Sequence, residues 1–172
     1  MASIQLKEIE LQSENPSAYT NPFRFRITVD VLEELQEDLE VIFVWVGSCE
    51  SKEYDQKLDE ILIGPLQLGT NEFVAEIPAP NWSLIPPWDL LGVTLLLITF
   101  NYREREFMRV GYWVEVSYMN SGESGQMPQT IEINHIQRNI LLMNPTVRSN
   151  AIIWDSEVAI ERDAEDSVSR DA

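Results

Sequence analysis

Few residues in this chain have the types and spacing that chemistry requires. His135 is the sole histidine, so neither paired-imidazole proton transfer nor a multi-histidine metal site can be assembled within one chain. Cys49 is the sole cysteine, which rules out an internal disulfide and any paired-thiol motif. No Gly-x-Ser-x-Gly elbow presents a serine nucleophile, and no glycine-rich loop is built to cradle a phosphate. Carboxylates remain: Glu37/Asp38 and Asp55/Asp59 are spaced so that one acid could donate a proton and its neighbour accept one. With 29 acids in the chain such pairs arise readily, so they do not point to catalysis by themselves. The expectation is a protein that binds and does not turn over, with no enzyme activity, no metal and no cofactor.

The same acids constrain the partner. The 172 residues carry 29 acidic and 12 basic side chains, a formal net charge of −17. That field repels a phosphate backbone, so no direct nucleic-acid binding is expected. It attracts a basic protein at long range, with a strong dependence on salt. Acidity alone is equally a mark of solubility. A 44% hydrophobic content supports the core of one domain. Met1–Glu8 lacks the pattern of a secretory signal, and the longest apolar run, near Val93–Ile98, is far too short to cross a bilayer. Together with the lone thiol, this reads as an intracellular protein with no membrane partner.

Any binding face must be positioned by strands. Phe23–Val31 alternates apolar and polar residues, the mark of a half-buried antiparallel strand. Val41–Val46 is continuously apolar and β-branched or aromatic, as expected of a strand covered on both sides. Ile61–Ile63 and Phe73–Ile77 are shorter strands. Val93–Tyr102 and Glu106–Val116 form a hairpin about Arg103–Arg105. Ile4–Leu6 and Ile9–Leu11 fall in a mixed pattern that ends at the turn Asn15–Ser17. Leu32–Leu39 reads as a turn or a single helical loop, and Asn134–Met143 as a brief helix, because Ile136, Ile140 and Met143 recur at helical spacing before Pro145. The fold class is therefore all-β, an immunoglobulin-like β-sandwich with short helical connections. Its core spans residues 1–154. Residues 155–172, with seven acids and two bases and no apolar pattern, read as a disordered acidic C-terminal tail.

Alternation along the hairpin then separates two faces. Met108, Val110, Tyr112 and Val114 join Leu96, Ile98 and Phe100 on a core face. The opposite face presents Leu95, Leu97, Arg109 and Trp113, apolar area with a cation beside it. Either a loop or the tail covers this face, or it is a docking surface with the composition of an interface hot spot.

A set of motifs in order carries a resemblance across residues 4–154. They are Asn21-Pro22-Phe23, Leu35-Gln36-Glu37-Asp38-Leu39-Glu40, Val46-Gly47-Ser48, Glu53-Tyr54-Asp55-Gln56, Gly64-Pro65, Leu84-Ile85-Pro86 and Gly92-Val93-Thr94. Leu97-Ile98-Thr99, Tyr102-Arg103, Arg109-Val110-Gly111-Tyr112 and Gln137-Arg138-Asn139-Ile140-Leu141 complete the series. By these motifs the chain resembles the anti-silencing function family of histone chaperones.

The resemblance implies a monomeric nuclear chaperone, shuttling with the cytoplasm, that binds the histone H3–H4 heterodimer. Such a chaperone blocks tetramer formation and delivers histones for nucleosome assembly and disassembly. It implies an H3 surface made of Val46, Glu50, Asp55, Asp89, Leu95, Leu97, Arg109 and Trp113. It also implies an H4 strand added along 144–152, with Pro145, Val147 and Arg148 in contact and Pro145 and Val147 forming an apolar pocket. Glu37, Asp38, Glu40, Asp59, Ile61, Ile63 and Phe73 match the family's docking surface for downstream chromatin-assembly chaperones. Ser156, Ser167 and Ser169, each near acids, would be sites for a tousled-like kinase. The chain departs from the family in Leu95 and Trp113, bulkier than the usual valine and tyrosine, in Thr146 where a basic residue is common, and in Val29, which replaces an aromatic near the docking surface. A sandwich adaptor that captures some other basic peptide is the alternative reading of the same residues.

Overall fold

The computed structural model describes residues 2–119 and 131–157. Among these residues, ten strands form two antiparallel sheets. One contains β1 (Ile4–Leu11), β3 (Phe23–Val31) and β6 (Gly69–Ile77), in the order β1-β3-β6. The other runs β2 (Ser17–Ala18), β9 (Ile136–Ile140), β8 (Arg105–Tyr118), β7 (Gly92–Tyr102), β4 (Leu39–Trp45), β5 (Gln56–Ile63), with β10 (Thr146–Ser149) paired to β8. The all-β sandwich expected from the sequence is the fold.

The core lies where the two sheets meet. From β3, Phe23, Phe25, Ile27, Val29 and Val31 point inward, and from β4 Leu39, Val41, Phe43 and Trp45 do so. Phe25 stacks on Phe43 at 5.9 Å, and Tyr19 meets Trp45 edge-on at 5.8 Å. The β7–β8 hairpin buries Leu96, Ile98, Phe100, Val110, Tyr112 and Val114, as alternation requires. Its turn is tight because Arg103 and Glu104 both adopt positive φ, 50° and 64°.

Several expectations change. The mixed pattern of the first strand is one strand, β1, with a register shift between Leu6 and Glu8 that reverses the phase of alternation halfway along. β4 is not covered on both sides: its burial alternates, leaving Ile42 and Val44 only partly covered on the outer face. Residues 32–38 form bends and irregular chain, with no helical turn.

The expected helix at Asn134–Met143 is instead a 3-10 turn at Ile133–His135 followed by β9. In β9, Ile136, Arg138 and Ile140 all point inward. A charged residue in the middle of that alternation hides the strand. Arg138 is accommodated because it donates to the Tyr19 and Pro22 carbonyls, the latter at 3.3 Å, and its guanidinium lies 3.6 Å from the centre of the Phe23 ring. Burial pushes its pKa down to about 10, so it remains charged at neutral pH. His135 lies on the surface beside Glu132, 2.9 Å away, and not in an α-helix.

Candidate functional site

β4, β7 and β8 place one row of side chains on the outer face of the larger sheet. Leu95 stands opposite Trp113, Leu97 opposite Gly111 and Val44, and Thr99 opposite Arg109. Val46 follows the end of β4, where its N–H donates to the Leu95 carbonyl at 3.0 Å and its carbonyl accepts from the Thr94 hydroxyl. Leu95 and Leu97 are half-buried, and Trp113 is 39% exposed. Among the described residues this face has no second layer of strands over it, so its apolar area is open to a partner. Gly111 forms the floor between the rows: a Cβ there would lie 2.6 Å from the Thr146 hydroxyl and 3.2 Å from Leu97. Only glycine allows β10 to approach so closely.

Charges rim this face. Glu106 positions Arg109, which donates to one of its carboxylate oxygens from Nε at 3.1 Å and from a terminal nitrogen at 2.9 Å. Asn150 donates to the other Glu106 oxygen at 3.3 Å. Arg148 of β10 lies directly opposite Arg109, so Glu106 also offsets a like-charge pair. Burial raises the Asp55 pKa, against the pull of Lys52 and Arg109. Glu50 and Asp89 line one small groove, Glu50 from the loop after β4 and Asp89 from the single-turn helix α1 (Pro87–Leu90). The structure therefore brings Val46, Leu95, Leu97, Arg109 and Trp113 onto one surface, with Glu50 and Asp89 on one groove of its rim and Asp55 near Arg109.

The β10 segment pairs with β8 beside this face. Thr146–Ser149 pairs with Gly111–Met108 on one side, and all four residues are exposed. The apolar groove beside it, about 490 Å³, is lined by Trp113 and by Ile140–Asn144. Pro145 and Val147 do not line it, although Val147 is 60% exposed. Sequence reasoning misses Leu141, Leu142 and Met143 as surface groups because helical spacing claims Met143. A signal for them exists: three consecutive apolar residues before a proline cannot all face inward from a strand.

A second charged region lies at the far end of the sheet. Glu37, Asp38, Glu40, Arg103 and Glu104 line a groove of about 380 Å³. β5 is the edge strand beside it. Ile61 and Ile63 turn partly inward against the core, as does Phe73 of β6, while Leu62 between them is 65% exposed. Burial and a hydrogen bond shared with Glu60 raise the Glu40 pKa, while Lys57, 2.8 Å from Glu60, holds Glu60 low. Asp59 accepts from the Glu60 backbone N–H at 2.8 Å. Val29 is wholly buried inside the sandwich.

Asp155, assigned by sequence to the tail, is tied to the core. It accepts from the Tyr102 hydroxyl, from Arg103 Nε at 2.7 Å and from the Gln36 backbone N–H at 2.9 Å. Trp154 before it is buried, stacked on Tyr102 at 5.3 Å and edge-on to Phe107 at 4.9 Å. Ser156 is described, and donates a hydrogen bond that lowers the Glu33 pKa. Ser167 and Ser169, with the rest of 158–172, lie outside the described residues. Among the described residues no cluster of ligating side chains could hold a metal, and no helix is long and apolar enough to cross a membrane.

A family model described as ASF1 like histone chaperone matches residues 1–155. Relatives include the histone chaperone ASF1B of Homo sapiens, 46% identical over 145 residues (84% of this chain, 72% of the relative). The histone chaperone asf1a-B of Xenopus laevis is 44% identical over 163 residues (94% and 81%). The histone chaperone asf1 of Aspergillus oryzae is 43% identical over 157 residues, which covers 91% of this chain and 55% of that relative. The chain thus spans little more than half the length of the Aspergillus protein.

Proposed function

Because this chain belongs to the ASF1-like histone chaperone family, we propose that it binds a histone H3–H4 heterodimer through the outer face of β4, β7 and β8. Binding there blocks tetramer formation and hands the dimer on for nucleosome assembly and disassembly. The family is non-enzymatic, and the role is nuclear, with shuttling through the cytoplasm. The observation that carries the reading is the unlayered apolar strip of Val46, Leu95, Leu97 and Trp113, rimmed by Glu50, Asp55 and Asp89. Such a strip suits a basic amphipathic helix: Leu95 and Trp113 anchor its apolar side and the acids meet its cations. Arg109, held by Glu106, offers a fixed guanidinium to an acid on the histone.

The outer edge of β10, with Pro145, Val147 and Arg148 beside it, takes the H4 terminal segment as an added strand, and the neighbouring groove under Trp113 receives an apolar side chain from it. At the other end of the sheet, Glu37, Asp38, Glu40 and Asp59 beside the β5 edge capture the basic-apolar motif of a downstream assembly chaperone. Ile61, Ile63 and Phe73 pack beneath it. The tail serines are substrates for a tousled-like kinase. The reading is tested by mixing the purified chain with H3–H4 and measuring complex mass. One chain per heterodimer supports it, while an undisturbed H3–H4 tetramer beside free chain at moderate salt removes it.

A further inference from the structure

The small groove on the rim of the proposed histone face has an unusual wall. Trp88 is 80% exposed, against 39% for Trp113 and 3% or less for Trp45 and Trp154. Its exposure is imposed by the backbone. Pro87 opens the single turn α1, Pro86 precedes it in an extended conformation with φ −55°, and Ile85 and Leu90 are buried on either side. The turn is pinned at both ends, and Trp88 projects from its middle. The groove it walls, about 190 Å³, also takes in Cys49, Glu50, Asp89 and Val93. It is smaller than sites for small organic ligands, which run to roughly 300–1,000 Å³.

We propose that Trp88 is a specificity-determining residue of the histone-binding face, its indole covering a lysine or arginine side chain whose charge lies between Glu50 and Asp89. The inference rests on the histone reading above. An indole face attracts a cation most strongly of the aromatic rings, and two carboxylates on the same groove supply the counter-charge. An anionic or phosphate-bearing occupant is disfavoured by those acids and by a net charge of −17. The groove is continuous with the main face, since Val93 and Thr94 line it and Leu95 follows in the same strand. A helix seated on Leu95 and Trp113 can therefore extend one long cationic side chain over Val93 to reach it. Charge and continuity together select a cationic side chain of the basic partner over a free ligand.

The test compares Trp88→Phe, Trp88→Leu and Trp88→Ala by affinity for H3–H4, with melting curves to confirm intact folding. Trp88→Leu is expected to weaken binding about 3- to 30-fold, close to Trp88→Ala, while Trp88→Phe keeps most of the affinity. In an Asp89→Asn, Glu50→Gln background the Trp88→Leu loss is expected to shrink, because the cation is no longer held under the ring. Trp88→Leu binding within about twofold of wild type overturns the inference, as does an equal loss in all three variants, which would report a contact made only by the full indole and not the attraction of a cation to an aromatic face. If wild type itself fails to bind H3–H4, the histone reading falls. Intact wild-type binding beside an unaltered Trp88→Leu removes only the role of Trp88.

Discussion

Trp113 stands directly opposite Leu95 in the β7–β8 ladder and, from the same position, walls the apolar groove formed by Ile140–Asn144. Its carbonyl also accepts from the Leu141 N–H at 2.8 Å, which fixes that groove to the sheet. One side chain thus joins the two surfaces proposed for the two histones, and substitution there tests both at once. Trp113→Ala is expected to weaken H3–H4 binding by about 2–4 kcal/mol, the range of an aromatic hot spot. Because the residue is 39% exposed, the melting temperature should move far less than the affinity. Calorimetry of binding and of unfolding on the same protein separates the two effects.

Charge around the face predicts a salt dependence. Reversing Asp55 and Asp89 to lysine should lower the rate of association with H3–H4 and flatten its dependence on ionic strength, because steering is lost. Stopped-flow association at two salt concentrations reads this. An association rate that stays equal to wild type at low salt would mean those acids do not face the histone.

The β5 edge is expected to act independently. Glu37→Lys with Asp38→Lys should abolish capture of a basic-apolar peptide while leaving H3–H4 affinity within about 0.5 kcal/mol, since distant sites without shared partners are additive. Fluorescence anisotropy with each ligand checks it. Loss of histone binding in this variant would place the two surfaces in one site.

The Asp155 contacts predict a pH effect. Burial raises the carboxyl pKa, but the Tyr102 hydroxyl, the Gln36 N–H and Arg103 together bring it below the ordinary aspartate value. A carboxylate with a depressed folded pKa stabilises fully above its unfolded value, about 3.9, and loses that contribution as pH falls through the folded value. Asp155→Asn is therefore expected to cost about 1.5–3 kcal/mol at neutral pH, and the gap from wild type should close below about pH 3.9. Urea denaturation across that range measures it. A gap that persists unchanged into acid would assign the cost to packing.

Arg138 makes the opposite kind of prediction, a cost insensitive to pH near neutrality. Arg138→Met leaves the Tyr19 and Pro22 carbonyls without their donor and should destabilise by about 2–4 kcal/mol. At this chain length that lowers Tm by roughly 4–16 °C. An unchanged melt would show that those carbonyls find other donors.

These same residues explain what is legible in the sequence. Alternation in β3, β7 and β8 is visible because the inward positions are apolar along most of their length, Thr94 being an exception, and it separates Leu95, Leu97, Arg109 and Trp113 from the core by pattern alone. β9 is hidden because Arg138 occupies an inward position, and its partners come from Tyr19 and Pro22, segments far away in sequence. β1 is blurred by a register shift that inverts its pattern. Asp155 reads as tail by composition, since its three donors come from segments that only folding brings together. Trp88 carries no periodic signal at all. An apolar residue just after a pair of prolines looks like a core residue until the turn that exposes it is seen.

The most direct measurement is the light-scattering mass of the chain mixed with H3–H4, beside a Leu95→Arg variant. The account predicts a complex of one chain with one H3–H4 heterodimer, absent in the variant although the variant folds. A complex that forms equally well with Leu95→Arg would contradict the assigned face, and free chain beside intact H3–H4 tetramer would contradict the function itself.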